Sequence, residues 1–187
     1  MGKAAKTPML PVTVAGVARI RSDAEHYIRL KLASAVLHGA IERYREKNQG
    51  PILSRATELF AHMTLGAFEG LRLEFDEHGE GFLVGVRPGG REIVRVEGMS
   101  EGTADQLYLA VRLASLEAYL AKNDPMPFVV DDILIKFDDD RAAATLRVLA
   151  QLSGRTQVIF FTHHRHLVDL AEKELDKERL FTHTLTG

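Results

Sequence analysis

The sequence contains no cysteine, which excludes a disulfide framework and any thiolate zinc site. No apolar run reaches the roughly 18 residues that a membrane helix needs, so no membrane span is expected. Net charge is only −2 and no dense Lys/Arg run is visible, so bulk electrostatics does not mark a nucleic-acid binder. Internal repeats and low-complexity tracts are also lacking. The opening stretch, "MGKAAKTPMLPVTVAGVARIR", has scattered basic charge and a short apolar patch interrupted by Pro8 and Pro11, which argues against a cleaved signal. Residues 1–21 therefore read as a flexible arm, and the set of absences suits a cytoplasmic protein.

What is present is an ordinary globular composition. The 187 residues are 45% hydrophobic and 27% charged, enough for one domain with a real core. From Ser22 to Asn48 the pattern is helical. Leu30, Ala33, Leu37, Ala40 and Tyr44 follow the 3-4-3-4 spacing of a two-stranded coil, although about two heptads fit an ordinary amphipathic helix equally well. "NQGP" (Asn48 to Pro51) is expected to break the helix, with Pro51 opening a second one that runs to about Met63. Residues 22–65 thus read as a coiled-coil end entering a domain at 66–187.

That domain opens with a β-meander. "LRLEF", "GFLVGVR" and "REIVRVE" are separated by "DEHGE" and "PGG", the turn chemistry of antiparallel hairpins. The character then changes. "MSEGTADQLYLAVRLASLEAYLAK" is a strong helix, with Thr103 and Gln106 spaced as a capping box and Tyr108 and Tyr119 expected in the core. "PFVV", a helix from about Asp139 to Ser153, "QVIFF" and the helix "RHLVDLAEKEL" follow, with "RLFTHTL" as a possible last strand. Short apolar strands alternating with helices predict an α/β fold with a parallel sheet covered on both faces. "EKELDKER" reads as a solvated face.

Parallel sheets bind ligands at the carboxyl ends of their strands. Asp131 and Asp132 end one strand; Thr162 and His163 end the other. A carboxylate there can hold Mg²⁺. Its neighbour can orient or deprotonate a water, and an imidazole can stabilise charge on a transferred phosphoryl group. The bland alternative is that the Asp pair caps a loop. Ser100 and Gly102, just before a helix, can form an anion site from backbone N–H groups and a hydroxyl, or can be plain N-cap chemistry. Asp139 and Asp140 suit the first turn of their helix, with Arg141 as a solvated partner. His163, His164 and His166 cluster closely enough to raise a metal site, though no further ligand stands at a sensible spacing.

Taken together and in order, "EGMSEGTADQLYLAVRLASLEAYL", "PFVVDDILIKFDDDRAAATLRVLAQLS" and "TQVIFFTHHRHLVDLA" resemble the C-terminal half of an ABC-type ATPase head of the SMC and SbcC class, in particular the bacterial YhaN-type coiled-coil ATPases. The upstream helical stretch is similar to the end of a returning coiled-coil arm. The resemblance covers roughly Tyr27 to Leu175. It implies a P-loop NTPase-like lobe binding ATP and Mg²⁺ and dimerising with a partner head. DNA repair or chromosome maintenance would be the setting, with DNA and a nuclease as further partners. By the same resemblance Ser100 and Gly102 form the signature loop, Asp131 is the Walker B carboxylate on Mg²⁺, and Asp132 fills the catalytic-base slot. Asp138 is the D-loop aspartate and His163 the switch histidine.

Two departures stand out. Asp132 occupies a position where many ABC ATPases have Glu, which draws the carboxylate back by about 1.5 Å. A phosphate-binding G-x-x-x-x-G-K-[ST] is absent from the chain; "MGK" and "RPGGRE" lack its parts. The leading expectation is therefore a lobe inactive alone, whose ATP hydrolysis requires a Walker A-bearing N-terminal lobe. The alternative is a truncated, non-catalytic interaction module with an uncovered apolar face. A third reading is a Mg²⁺-dependent hydrolase that uses Asp131, Asp132 and His163 without ATP.

Overall fold

The computed structural model describes residues 14–77 and 79–185. The chain forms two compact units, Met1–Lys47 and Asn48–Gly187. Residues 1–13 of the expected arm lie outside the described residues; residues 14–21 are helical, within helix α1 (Val14–Met63). In the first unit Leu30, Ala33, Leu37 and Ala40 of the expected seam are all solvent-exposed, as are Ile28, Leu32 and Val36. The side chain of Tyr44 lies outside the described residues.

The break expected at "NQGP" does not occur: Pro51 sits inside α1. Proline removes one backbone hydrogen bond and crowds the preceding turn, yet the turns after it are held from the side. Ala56, Leu59, Phe60 and Met63 are buried in the main core of the second unit, and packing of this kind supplies most helical stability in proteins.

The second unit carries an antiparallel sheet of β1 (Gly70–Phe75), β2 (Gly81–Val86) and β3 (Ile93–Arg95), in that order. Gly70 pairs with Val86 and Phe75 with Gly81, and Val86 also pairs with Ile93. The second turn uses Gly89 and Gly90 at φ +86° and +68°, backbone that other residues rarely adopt. The predicted meander is thus present. A 3₁₀ turn, Val96–Gly98, leads to α2 (Glu101–Leu120). The cap lies one turn earlier than predicted: Ser100, not Thr103, is the N-cap, and its Oγ accepts from Thr103 N–H at 3.3 Å. Gln106, expected to close a capping box, is instead fully buried, and its Nε2 donates to the Met63 carbonyl at 2.7 Å.

Then come β4 (Phe128–Asp131), α3 (Asp139–Leu152), β5 (Val158–Phe161) and α4 (Arg165–Glu174). β4 and β5 pair in parallel, Phe128 with Val158 through Asp131 with Phe161. The α/β class is as expected, but the parallel sheet of this chain has only these two strands among the described residues, and it is not covered on both faces. Val129 and Phe161 are 55% and 44% exposed. The terminal strand expected at "RLFTHTL" does not form; residues 180–185 have no regular structure.

Two apolar clusters hold the unit. Leu107, Ala110, Leu113 and Ala114 of α2 join the α1 residues, Phe68, Leu71 and Val148, Leu149 and Leu152 of α3. Leu134, Ala142, Leu146, Leu167 and Ala171 form a second cluster. Tyr108 and Tyr119, expected inside, are 54% and 45% exposed on the opposite side of α2. A helix as apolar as α2 gives no unique inward face by periodicity alone. Arg55 clamps α1 to α2 by donating from Nε and Nη2 to both carboxylate oxygens of Glu117, at 2.7 and 3.1 Å. Those bonds, with a further one to Glu58, raise the Arg55 pKa. Among the described residues no helix is long and apolar enough to cross a membrane.

Candidate functional site

Because β4 and β5 are parallel and in register, their carboxyl ends coincide, and Asp131 stands opposite Phe161. Asp131 is exposed, and among the described residues its carboxylate has no hydrogen-bond or ion-pair partner. An unengaged carboxylate is the hard oxygen donor that Mg²⁺ takes, with water completing the shell.

Asp132 turns the chain out of the strand. Its φ is +46°, a left-handed conformation that Asp tolerates better than most residues, while its N–H still donates to Phe161 O at 2.9 Å. The carboxylate is engaged on both oxygens. Oδ1 accepts from Thr162 Oγ1 at 2.7 Å, and Oδ2 is in close contact with His163 Nδ1. The Thr162 hydroxyl is the largest influence and lowers the pKa of the carboxyl; desolvation, next in size, opposes it, and His163 lowers it further, so that the carboxyl stays below its usual value. Thr162 Oγ1 also accepts from His164 N–H at 3.1 Å. One hydroxyl therefore ties the acid to the turn that carries both histidines. With Nδ1 engaged, the Nε2 edge of His163 is left to solvent; the side chain is 74% exposed. Sequence reasoning noted Thr162 only as a strand end. Its polar type directly before His163 is the signal that could have found it.

The further ligand that sequence spacing did not supply to the histidines is Asp132. Ligand atoms of Asp132, His163 and His164 lie within 4.8 Å of one another. His166 is set to one side, its ring edge-on to His164 at 5.7 Å between centroids.

Ser100, Gly102 and Asp138 gather in a second cluster. Ser100 Oγ shares a hydrogen bond with Thr103 Oγ1 at 2.8 Å, and Arg141 Nη1 donates to that Thr103 oxygen at 3.4 Å. Arg141 Nε pairs with Asp138 Oδ2 at 3.4 Å, while Asp138 Oδ1 caps α3 by accepting from Arg141 N–H at 2.9 Å. Arg141 is thus the link between Asp138 and the start of α2 rather than a partner of Asp139 and Asp140, which occupy the first turn of α3 as expected. Gly102 is buried, and the space beside its Cα is taken by the Lys136 carbonyl. Lys136 Nζ in turn pairs with Asp105 at 3.2 Å and Glu101 at 3.3 Å, Asp105 first and then Glu101 raising its pKa. Sequence reasoning missed Lys136, and no local pattern marks it.

Between these clusters lies an open groove of about 350 Å³ lined by Asp105, Tyr108, Arg112, Asp132, Ile135 and Lys136, among others. Ile135 is itself 51% exposed, so the groove is apolar along part of its wall.

No protein-family model matches the chain. It is 30% identical over 152 residues, 81% of its own length, to YhaN of Bacillus subtilis (strain 168), an uncharacterized protein. A solved structure of an SMC ATPase, from work on ATP-driven dimerization and DNA-stimulated activation, superposes with a TM-score of 0.56 at 22% identity, over 72% of this chain and 78% of that one. The chain shares its fold with that SMC ATPase structure. The Smc head domain of Pyrococcus furiosus, solved with an extended coiled coil and bound to the C-terminal domain of ScpA, gives 0.54 at 21% identity, over 82% of this chain and 39% of that one. The chain spans 15% of the length of YhaN.

Proposed function

We propose that this chain is the C-terminal lobe of an SMC/YhaN-like ABC-type ATPase head that handles ATP with a Walker A-bearing lobe and dimerises with a second head. The observation that carries the reading is the strand-end group: an Asp131 carboxylate with no partner among the described residues beside an Asp132 that is hydrogen-bonded to Thr162 and His163. Asp131 is the group that holds Mg²⁺, which when bound offsets the charge of the nucleotide phosphates. Asp132 has a depressed pKa and so is a weak base; its part is to accept hydrogen bonds, positioning a water and fixing the tautomer of His163. In its doubly protonated form His163 keeps Nδ1–H on Asp132 and donates Nε2–H to charge that develops on the transferred phosphoryl group.

Ser100, Gly102 and Asp138 act at the partner head. Ser100 is exposed and offers its hydroxyl and the N-terminus of α2. The arm of α1 joins a coiled coil, and the work of the whole assembly is DNA repair or chromosome maintenance in the cytoplasm, with DNA and a nuclease among its partners. This last step follows from likeness to SMC proteins.

The test is complementation. The chain alone should show no ATP turnover, since it has no loop to cradle phosphates. Mixing it with an N-terminal lobe that carries G-x-x-x-x-G-K-[ST] should restore binding of a fluorescent ATP analogue and Mg²⁺-dependent hydrolysis, the latter lost in Asp131→Ala. Robust turnover by the chain alone contradicts the reading. A second reading, a non-catalytic interaction module, draws on the exposed Tyr108, Val129, Ile135 and Phe161. Failed complementation with both pieces folded favours it.

A further inference from the structure

We propose that Asp132, His163 and His164 form a binding site for a transition-metal dication of the Zn²⁺ class. Two imidazoles are borderline donors of the kind that Zn²⁺, Ni²⁺ and Cu²⁺ take, with a carboxylate completing the set, whereas Mg²⁺ and Ca²⁺ select sites built of oxygen alone. Three ligand atoms within 4.8 Å of one another match a three-ligand site whose fourth position is left to water.

Three further observations separate this site from a plain Asp–His hydrogen bond. The rings of His163 and His164 stand 3.9 Å apart between centroids, so the second imidazole already lies beside the pair. Among the described residues the ring nitrogens of His164 make no hydrogen bond, which leaves them available for a ligand. Thr162 holds both sides at once, through Asp132 Oδ1 and through the His164 N–H. Outer partners of this kind orient metal ligands and raise affinity. The exposure of His163 gives an ion an open path, and it needs only to replace the proton shared between Asp132 and His163.

One consequence rests on the function proposed above. A Zn²⁺ ion here engages Asp132 and His163 together, so in a complemented head it inhibits turnover, and in His164→Ala a given Zn²⁺ concentration removes a smaller fraction of that variant's own Mg²⁺ rate.

The site itself is tested on the chain without any affinity tag, by titration with Zn²⁺ against a chromophoric chelator and by the visible spectrum of added Co²⁺. One equivalent should bind. His163→Ala and His164→Ala should each weaken binding by at least about tenfold and abolish the Co²⁺ bands, and Thr162→Val should weaken it by about 10–100-fold. His183→Ala should change nothing. Circular dichroism shows that each variant is folded. No binding, affinity unchanged in both histidine variants, or displacement of Zn²⁺ by millimolar Mg²⁺ overturns the proposal. Because binding is read on the chain alone, failure of the ATPase reading leaves this result standing, and loss of metal binding leaves the complementation test intact.

Discussion

A Cβ placed on Gly102 would stand 2.5 Å from the carbonyl oxygen of Lys136, so the first turn of α2 and the loop after β4 meet backbone to backbone. That contact couples the Ser100 cluster to the segment that begins at Asp132. It also explains the glycine in physical terms: the absent side chain makes room for the protein's own main chain.

Gly102→Ala should therefore destabilise the fold, although alanine is the better helix former. Neither the Lys136 carbonyl nor the helix can yield cheaply, and overpacking of this kind costs about 1–3 kcal/mol. For a chain of this size each kcal/mol lowers Tm by about 2–4 °C. A thermal melt followed by circular dichroism reads this directly. A variant melting with the wild type would mean that the loop moves aside freely.

Thr162→Val removes the strongest influence on Asp132 and should bring its pKa up toward the ordinary carboxylate value. The folded-state pKa of Asp132 is depressed, so the group stabilises the fold above its unfolded pKa. That contribution is lost as pH falls through the lower, folded value. The variant should accordingly be less stable than wild type at neutral pH, with the gap closing in acid. Carboxyl ¹³C titration of Asp132 gives the shift, and urea melts across the acid range give the stability difference. An unmoved Asp132 titration would assign the depression to His163 instead.

Gln106 donates to Met63 O from full burial, and its own Oε1 has no partner among the described residues. Gln106→Glu keeps the shape but, when ionised, sets a buried carboxylate against a carbonyl. Burial raises the pKa of such an acid, so the folded state binds the proton more tightly than the unfolded one. Relative to wild type the variant should be well tolerated in acid and lose stability as pH rises above the unfolded carboxylate pKa. The loss should reach about 2 kcal/mol or more near neutrality, the scale of a buried, unpaired charged group. A pH-independent difference between the two proteins would contradict this.

Much of the fold was legible because its signals are local. The glycine turns of the meander, the start of α3 near Asp139 and the short apolar strands all follow from backbone geometry within a few residues. The carboxylates and the histidine could be placed at strand ends for the same reason. The misplaced elements each had a local signal that something distant outweighed. Pro51 marks a helix start, yet the packing of Ala56, Leu59, Phe60 and Met63 carries α1 past it. Thr103 and Gln106 have capping-box spacing, but Gln106 found a carbonyl 43 residues away. "RLFTHTL" has strand composition and no neighbouring strand to pair with among the described residues.

The order of elements, their types and the placing of acids and imidazole at strand ends were determined by the sequence itself, since these depend on φ/ψ preference and short-range periodicity. Tertiary structure alone decided which groups meet: Thr162 with Asp132, Arg141 with Thr103, and the Lys136 carbonyl with Gly102. Contacts across 30 residues or more depend on what packs opposite, and no local rule contains that. The same reason left Tyr108 in solvent and Gln106 in the core, two positions on one helix whose surroundings were set by the partners of α2.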